Sequence, residues 1–299
     1  MYKTRGASPA RAFRYNGRQH RVRPSRVLDE ELNLTPHALP YLAAVLAKGP
    51  DAGAFLQSQL SADIVSLRDG YATFACYCSP RGQVYGLLLV CRQADEFVLL
   101  GAAELLPPIL QRLRRFVLRA RVEFEPAAGL AVCGVPAEPV AAAGTFHTVP
   151  GLSYRLAAQD ACGSQDGSGW KARELQHGVA WLGAQTSERF IPQMLGFDQI
   201  GAVSFAKGCY PGQEIVARAR YLGTVKRKPL RLLVATAPLI PAGAGIRVQA
   251  GDDWLDGVAI DSAPLGTGRQ TIVLAVAAVP AGTVKALEFE QHSYRCATM

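Results

Sequence analysis

The stretch "SFAKGCYPGQEIVARARYLGTVKRK", residues 204 to 228, sets Cys209 near two glycines, Gly208 and Gly212, with Lys207 before it and Tyr210, Gln213, Glu214 and a run of cations after it. A cysteine that does chemistry there acts as a thiolate, either as a nucleophile or as a metal-seeking ligand. Pro211 suits the first turn of a helix, because its missing N–H would have no intrahelical partner. Gln213 to Tyr221 then carries strong helix formers. The spacing predicts Ile215, Ala219 and Leu222 on the face toward the core and Glu214, Arg218 and Tyr221 on another, with Glu214 four residues before Arg218 as in a helical ion pair. Cys209 thus precedes a helix N-terminus, where the dipole and the Lys207 ammonium both favour the thiolate. A small buried side chain in a strand-loop-helix turn would read the same locally, since cysteine is among the most buried residue types.

The elements that must hold this loop follow from periodicity. "DAGAFLQSQLSADI", from Asp51, has helical spacing, and strand-like runs follow at 71–78, 84–91 and 96–100, with "SPRG" at 79–82 as a hairpin turn. A helix over 103–119 and a further strand complete an α+β unit. Residues 127–170 give a weaker pattern of short strands with a loop around "CGSQDGSG". After Pro229, β segments at 230–236, 245–250, 254–261, 271–277 and 284–289 are separated by Gly/Pro turns, which predicts a small barrel. The expected domains are a disordered basic tail over 1–30, an N-terminal α+β domain over 31–126, a middle domain over 127–228 and a barrel over 229–299.

Composition narrows the classes. The chain has 299 residues and 49% apolar content, enough for two or three domains with a substantial core. Residues 1–27 carry Lys3, Arg5, Arg11, Arg14, Arg18, Arg21, Arg23 and Arg26 and no acid, which equals the whole formal charge of +8, so the remaining 24 cations balance 24 acids. A high pI is therefore no sign that the folded body binds nucleic acid. Two local basic patches remain, one from Arg112 to Arg121 and one from Arg218 to Arg231. No charge-free apolar run reaches the length of a membrane span, and the N-terminus lacks the apolar core of a signal peptide. We expect no membrane, a cytoplasmic monomer, or a mitochondrial matrix protein if the basic tail is a presequence. The seven cysteines form no C-x-x-C pair, so reduced thiols are expected, with Cys76 and Cys78 on a buried strand face. The five histidines show no catalytic or ligand spacing, and no set of residues is spaced to hold a permanent cluster.

"KGCYPGQEIVARARYLGTVKR", preceded by "FIPQMLGFDQIGAVSF", closely resembles the signature of the YgfZ family of folate-binding proteins, relatives of the glycine-cleavage T protein. The likeness is densest over residues 170–228 and extends more weakly over "GPDAGAFLQSQLSAD", "CSPRGQV" and the barrel. It implies an α+β fold of three domains in a ring, a tetrahydrofolate-type ligand as cofactor, and a role in assembling or repairing iron-sulfur clusters in client enzymes, including those that modify tRNA. It implies Cys209 and Lys207 as the reacting pair, with Gly208, Tyr210, Gly212, Gln213 and Glu214 completing the motif. Arg218, Tyr221, Lys226 and Arg227 match its extension as ligand-binding residues, while Leu222 stands where the family has a cation. Trp170 occupies the place of the folate-stacking tryptophan, although a core aromatic would suit the spacing equally. Leu42 aligns with a second family tryptophan, and Gln176 with a glutamate that holds the pterin. Tyr85 and Gly86 replace the Asp pair of the aminomethyltransferases, and a phenol is a poor base near neutral pH. A one-carbon or aminomethyl transferase and a tRNA-binding module are the alternatives.

Overall fold

A computed structural model describes residues 36–135, 145–148, 152–163, 167–223, 225–235, 237–266, 269–279 and 284–299. The expected basic tail over 1–30 lies outside the described residues, as does part of the "CGSQDGSG" loop. In chain order the first elements are β1 (His37–Ala38), β2 (Leu42–Lys48), α1 (Ala52–Gln59), β3 (Ala72–Cys78), β4 (Val84–Gln93), β5 (Glu96–Ala102), α2 (Leu106–Arg114) and β6 (Glu123–Pro126). Then come β7 (Leu130–Val135), β8 (Thr145–His147), β9 (Ser153–Ala158), a 3-10 turn (Gln159–Cys162), α3 (Ser168–Gln176), α4 (Pro192–Leu195) and α5 (Gln213–Tyr221). The chain ends in β10 (Lys228–Ala235), β11 (Gly245–Ala250), β12 (Asp253–Leu265), β13 (Gln270–Ala277), β14 (Val284–Phe289) and β15 (His292–Thr298).

β2 to β6 form one antiparallel sheet in the order β3-β4-β5-β2-β6, and a second sheet runs β1-β7-β9-β8. β1 pairs with β7 through His37 and Ala38, so the first residues assigned to the N-terminal domain belong to the middle sheet. α2 buries Leu106, Ile109, Leu110 and Leu113, a single helical stripe, and opens with proline in its first turn. It stops well short of the expected 119, where Arg114 turns to donate to the Phe124 carbonyl of β6 at 2.9 Å. The barrel is closed by six strands, β10-β13-β12-β11-β14-β15. Its sixth strand, "HSYRCAT", carries little apolar alternation and is held by ladders to β10 and β14.

One continuous core joins the first sheet, α3 and the barrel residues Ile260, Ile272 and Leu274, while Leu232, Val234, Val248 and Leu287 fill the barrel itself. α3 is tied to β12 by the Lys171–Asp261 ion pair at 2.9 Å. Cys76 and Cys78 are both buried in β3. The expectation that every thiol is reduced fails at one pair. The 3-10 turn brings Cys162 against β7 with its Cα 5.4 Å from that of Cys133, within the span a disulfide needs, and the two are bonded.

Candidate functional site

The signature loop is seated on the first domain by backbone shape. Gly82 in the turn after β3 has φ 73° and Gly212 has φ 79°, a left-handed region that glycine enters at no steric cost. A Cβ on Gly212 would lie 2.3 Å from the Ser79 carbonyl oxygen and 2.7 Å from the Cα of Gly82. The two turns therefore touch main chain to main chain. Ser61 extends the join, its hydroxyl donating to the Ala202 carbonyl at 2.5 Å and its own carbonyl accepting from the Ser204 N–H at 2.9 Å.

α5 begins at Gln213, with Glu214 in its first turn. The inward face differs from expectation. Val216 is its buried residue, and the Gln193 amide donates to the Val216 carbonyl at 2.6 Å. Ile215 instead lies over Gly82 and stays partly exposed, while Leu222 is 84% exposed. Glu214 makes no ion pair with Arg218; both point into solvent.

Of the five free cysteines, Cys209 alone is exposed; Cys76, Cys78 and Cys91 are buried, and half-buried Cys296 is pushed up to about 11 by burial. Lys207 is engaged at the end of α1. Its ammonium donates to the Gln57 carbonyl and, at 2.5 Å, to the Leu60 carbonyl, satisfying groups that the end of α1 leaves open. Burial draws Lys207 down to about 8 against the pull of Asp63. The expected catalytic lysine is thus a cap that fixes the loop. Tyr210 packs inward with its ring 5.2 Å from the same ammonium, and burial raises its phenol, helped by the nearby Cys78 and Cys76. Gly208 is exposed beside Cys209.

The far end of α5 borders a cleft of about 450 Å³ lined by Arg189, Ile191, Met194, Ala219, Gly223, Val225, Lys226 and Arg227. Its floor is apolar and its rim carries three cations. Lys226 and Arg227, two of the residues that the resemblance assigns to a ligand, both line it, and Arg189 joins them although nothing in its spacing marks it. Arg218 and Tyr221 are exposed on α5, Tyr221 with its ring 6.1 Å from that of Phe205. Six helical residues, Gln213 to Arg218, separate this cleft from the Cys209 loop, about 9 Å along the axis.

The two α3 residues assigned to the pterin lie elsewhere. Trp170 has no exposed surface, and Gly134 of β7 rests so closely on its ring that a Cβ there would fall 2.3 Å from it. His37 and Tyr154 flank it, each with ring centroid 6.1 Å away. No face is left for a flat ligand, so Trp170 is a core residue. Gln176 ends α3 half-buried, and its carbonyl accepts from Arg231 at 2.8 Å. The acid of this region is Glu174, which sequence reasoning passed over. It is 1% exposed and accepts from Tyr154 (2.7 Å) and Trp181 (2.9 Å) on Oε1 and from Tyr41 (2.9 Å) on Oε2. Burial lifts it to about 7 although all three donors pull it down. Its position one helical turn after Trp170, on the same face, was the available signal.

Tyr85, at the place of the aminomethyltransferase acid, lies with its ring 4.1 Å from the Arg112 guanidinium carbon and 5.4 Å from the Tyr77 ring. Burial raises its phenol, so it stays protonated near neutral pH and supplies no base.

No protein-family model matches the chain. It is 29% identical over 261 residues to the tRNA-modifying protein YgfZ of Edwardsiella ictaluri, covering 75% of this chain and 78% of that one. It is 27% identical over 259 residues to the protein of the same name from Escherichia coli O157:H7, with 75% and 79% covered. An uncharacterized protein of Haemophilus influenzae is 30% identical over 241 residues, covering 76% and 81%. The fold is that of the glycine-cleavage T protein: the crystal structure of the aminomethyltransferase T from Bartonella henselae superposes with a TM-score of 0.69 over 91% of this chain and 87% of that one, at 14% identity. Signature, fold and these identities agree in making the chain similar to the proteins named YgfZ.

Proposed function

We propose that the protein supports tRNA modification as a folate-binding factor for the assembly or repair of iron-sulfur clusters in the modifying enzymes, with Cys209 as the reacting thiol. The observation that carries this reading is selective access: one free thiol of five is exposed, on a loop whose backbone is fixed at both ends. The relatives' name supports the tRNA link. Buried thiols are inert, so the exposed one meets a client or an oxidised sulfur first.

A folate fits the residues only in part. Trp170 offers no stacking face, whereas the cleft at the end of α5 joins an apolar floor to Arg189, Lys226 and Arg227, a combination suited to an aromatic ligand with carboxylates. Bound there, a reduced folate would supply a one-carbon carrier. Aminomethyl transfer of the glycine-cleavage kind is disfavoured by the protonated phenol of Tyr85.

The test is complementation of cells lacking this protein, read as the activity of an iron-sulfur tRNA-modifying enzyme. Cys209→Ser should keep the melting temperature and fail to rescue, and Lys226→Glu with Arg227→Glu should weaken tetrahydrofolate binding in a direct titration. Full rescue by Cys209→Ser would leave the thiol without a role and overturn the proposal.

A further inference from the structure

The segment after α2 places two apolar side chains in solvent among arginines. Phe116 is 54% and Leu118 86% exposed, the latter the most exposed large apolar residue among those described. Arg114, Arg115, Arg119 and Arg121 are exposed around them. Two of these are engaged, Arg114 by the Phe124 carbonyl and Arg121 by Asp51 at 3.2 Å. Arg115 and Arg119 make no hydrogen bond or ion pair with any described residue. A cleft of about 450 Å³ adjoins them, lined by Val117, Val122 and Phe124 with Arg114, Glu123 and Glu125, the last paired with Lys48 at 2.7 Å; its two acids leave it to the partner's apolar side chain rather than to its carboxylates. Contiguous apolar exposure rimmed by polar groups marks an interaction site, and arginine and phenylalanine are enriched where proteins meet.

We propose that this surface docks an acidic, apolar-bearing segment of a partner protein. The partner's aliphatic or aromatic side chain covers Phe116 and Leu118 and reaches the cleft, and its carboxylates pair with Arg115 and Arg119. Charge complementarity selects this occupant. Residues 1–27 of the chain itself hold eight cations and no acid, so they are repelled here; the chain's own short acidic run, Asp29, Glu30 and Glu31, is the competing occupant, and a full chain with all three changed to Lys that binds the probe more tightly would assign the surface to that run instead. A second copy in a self-matching contact would set arginine against arginine. RNA would use the arginines and leave Leu118 uncovered. The site is separate from the thiol and the cation-rimmed cleft, so it stands or falls independently of the proposed function.

The probe is a fluorescein-labelled synthetic amphipathic helix built from Glu, Leu and Phe, titrated by fluorescence anisotropy against the full chain. Leu118→Asp and the pair Arg115→Glu/Arg119→Glu should each weaken binding by roughly tenfold or more, with the arginine effect shrinking as salt rises. Leu239→Asp, at an exposed barrel position, should leave it unchanged. All these side chains are exposed, so melting temperatures should match the native protein. Absence of saturable binding to the native protein overturns the proposal, as does binding that Leu118→Asp leaves intact. Displacement of the peptide by a single-stranded RNA that binds Leu118→Asp as well as the native chain would assign the surface to RNA instead.

Discussion

Glu174→Gln is expected to stabilise the protein above neutral pH and to flatten its pH dependence. The carboxyl is almost fully buried, and burial lifts it from 4.5 to about 7, outweighing three hydrogen bonds that favour the ion. The fold therefore prefers the protonated acid. This contribution is complete below about pH 4.5 and is lost as pH rises through about 7, which amounts to about 3 kcal/mol by pH 8. The amide preserves the contacts: its oxygen accepts from Tyr154 and Trp181, and its NH₂ donates to the Tyr41 hydroxyl, which can turn to receive it. Both phenols are themselves held far above 10 by burial and by Glu174, so they remain donors throughout. Urea unfolding followed by intrinsic fluorescence at about pH 5 and about pH 8 measures the effect. The native protein should lose about 2 to 3 kcal/mol between the two, and Glu174→Gln should lose far less. Glu174→Ala should be destabilised at both, because it strands three buried donors at about 1 to 3 kcal/mol each. If native and Gln proteins show the same pH dependence, or the Gln protein is the weaker at the higher pH, then the donors outweigh burial and the reasoning fails.

Gly212→Ala combines a left-handed φ with an overlap on the Ser79 carbonyl, so it should cost about 3 kcal/mol and lower the melting temperature in a calorimetric scan. Cys133→Ala opens a disulfide spanning 29 residues, for which loop entropy gives a loss of about 3 to 4 kcal/mol, and dithiothreitol should produce the same drop in the native protein and none in the variant. Lys207→Met leaves the end of α1 uncapped and should cost about 1 to 3 kcal/mol in chemical unfolding, while Cys209 alkylation by iodoacetamide, tracked by mass spectrometry, should still outpace that of the other free thiols.

Local order was readable and long-range contact was not. α1, β3 to β5, the turn at 79–82 and five barrel strands follow from periods of 3.6 and 2 with turn residues between them, all properties of neighbouring residues. The buried face of α5 was misassigned because Ile215 is claimed by Gly82, far away in the chain, leaving Val216 to face inward. Lys207 was paired with Cys209 by adjacency, whereas its ammonium answers carbonyls near residue 60. Trp170 matched a ligand platform by position, and only the glycine opposite it in β7 shows the ring to be packed. The Cys133–Cys162 pair has no spacing signature, since connectivity depends on where the 3-10 turn lands. β15 was overlooked because its residues are polar and half-exposed, and its strand state comes from pairing partners rather than from its own pattern.

The meeting of Gly82 with Gly212 also sets an order of events. It closes a loop of 130 residues, a contact that chain entropy delays until nearer neighbours have formed. During synthesis the first sheet can fold while the segment bearing Cys209 is still unmade, and the loop acquires its mount only when both turns exist. Folding of that sheet has by then withdrawn Cys76, Cys78 and Cys91, and Cys133 is bonded to Cys162, so mounting the loop presents Cys209 as the one exposed free thiol. Folding thus converts an indiscriminately reactive chain into one with a single addressable sulfur.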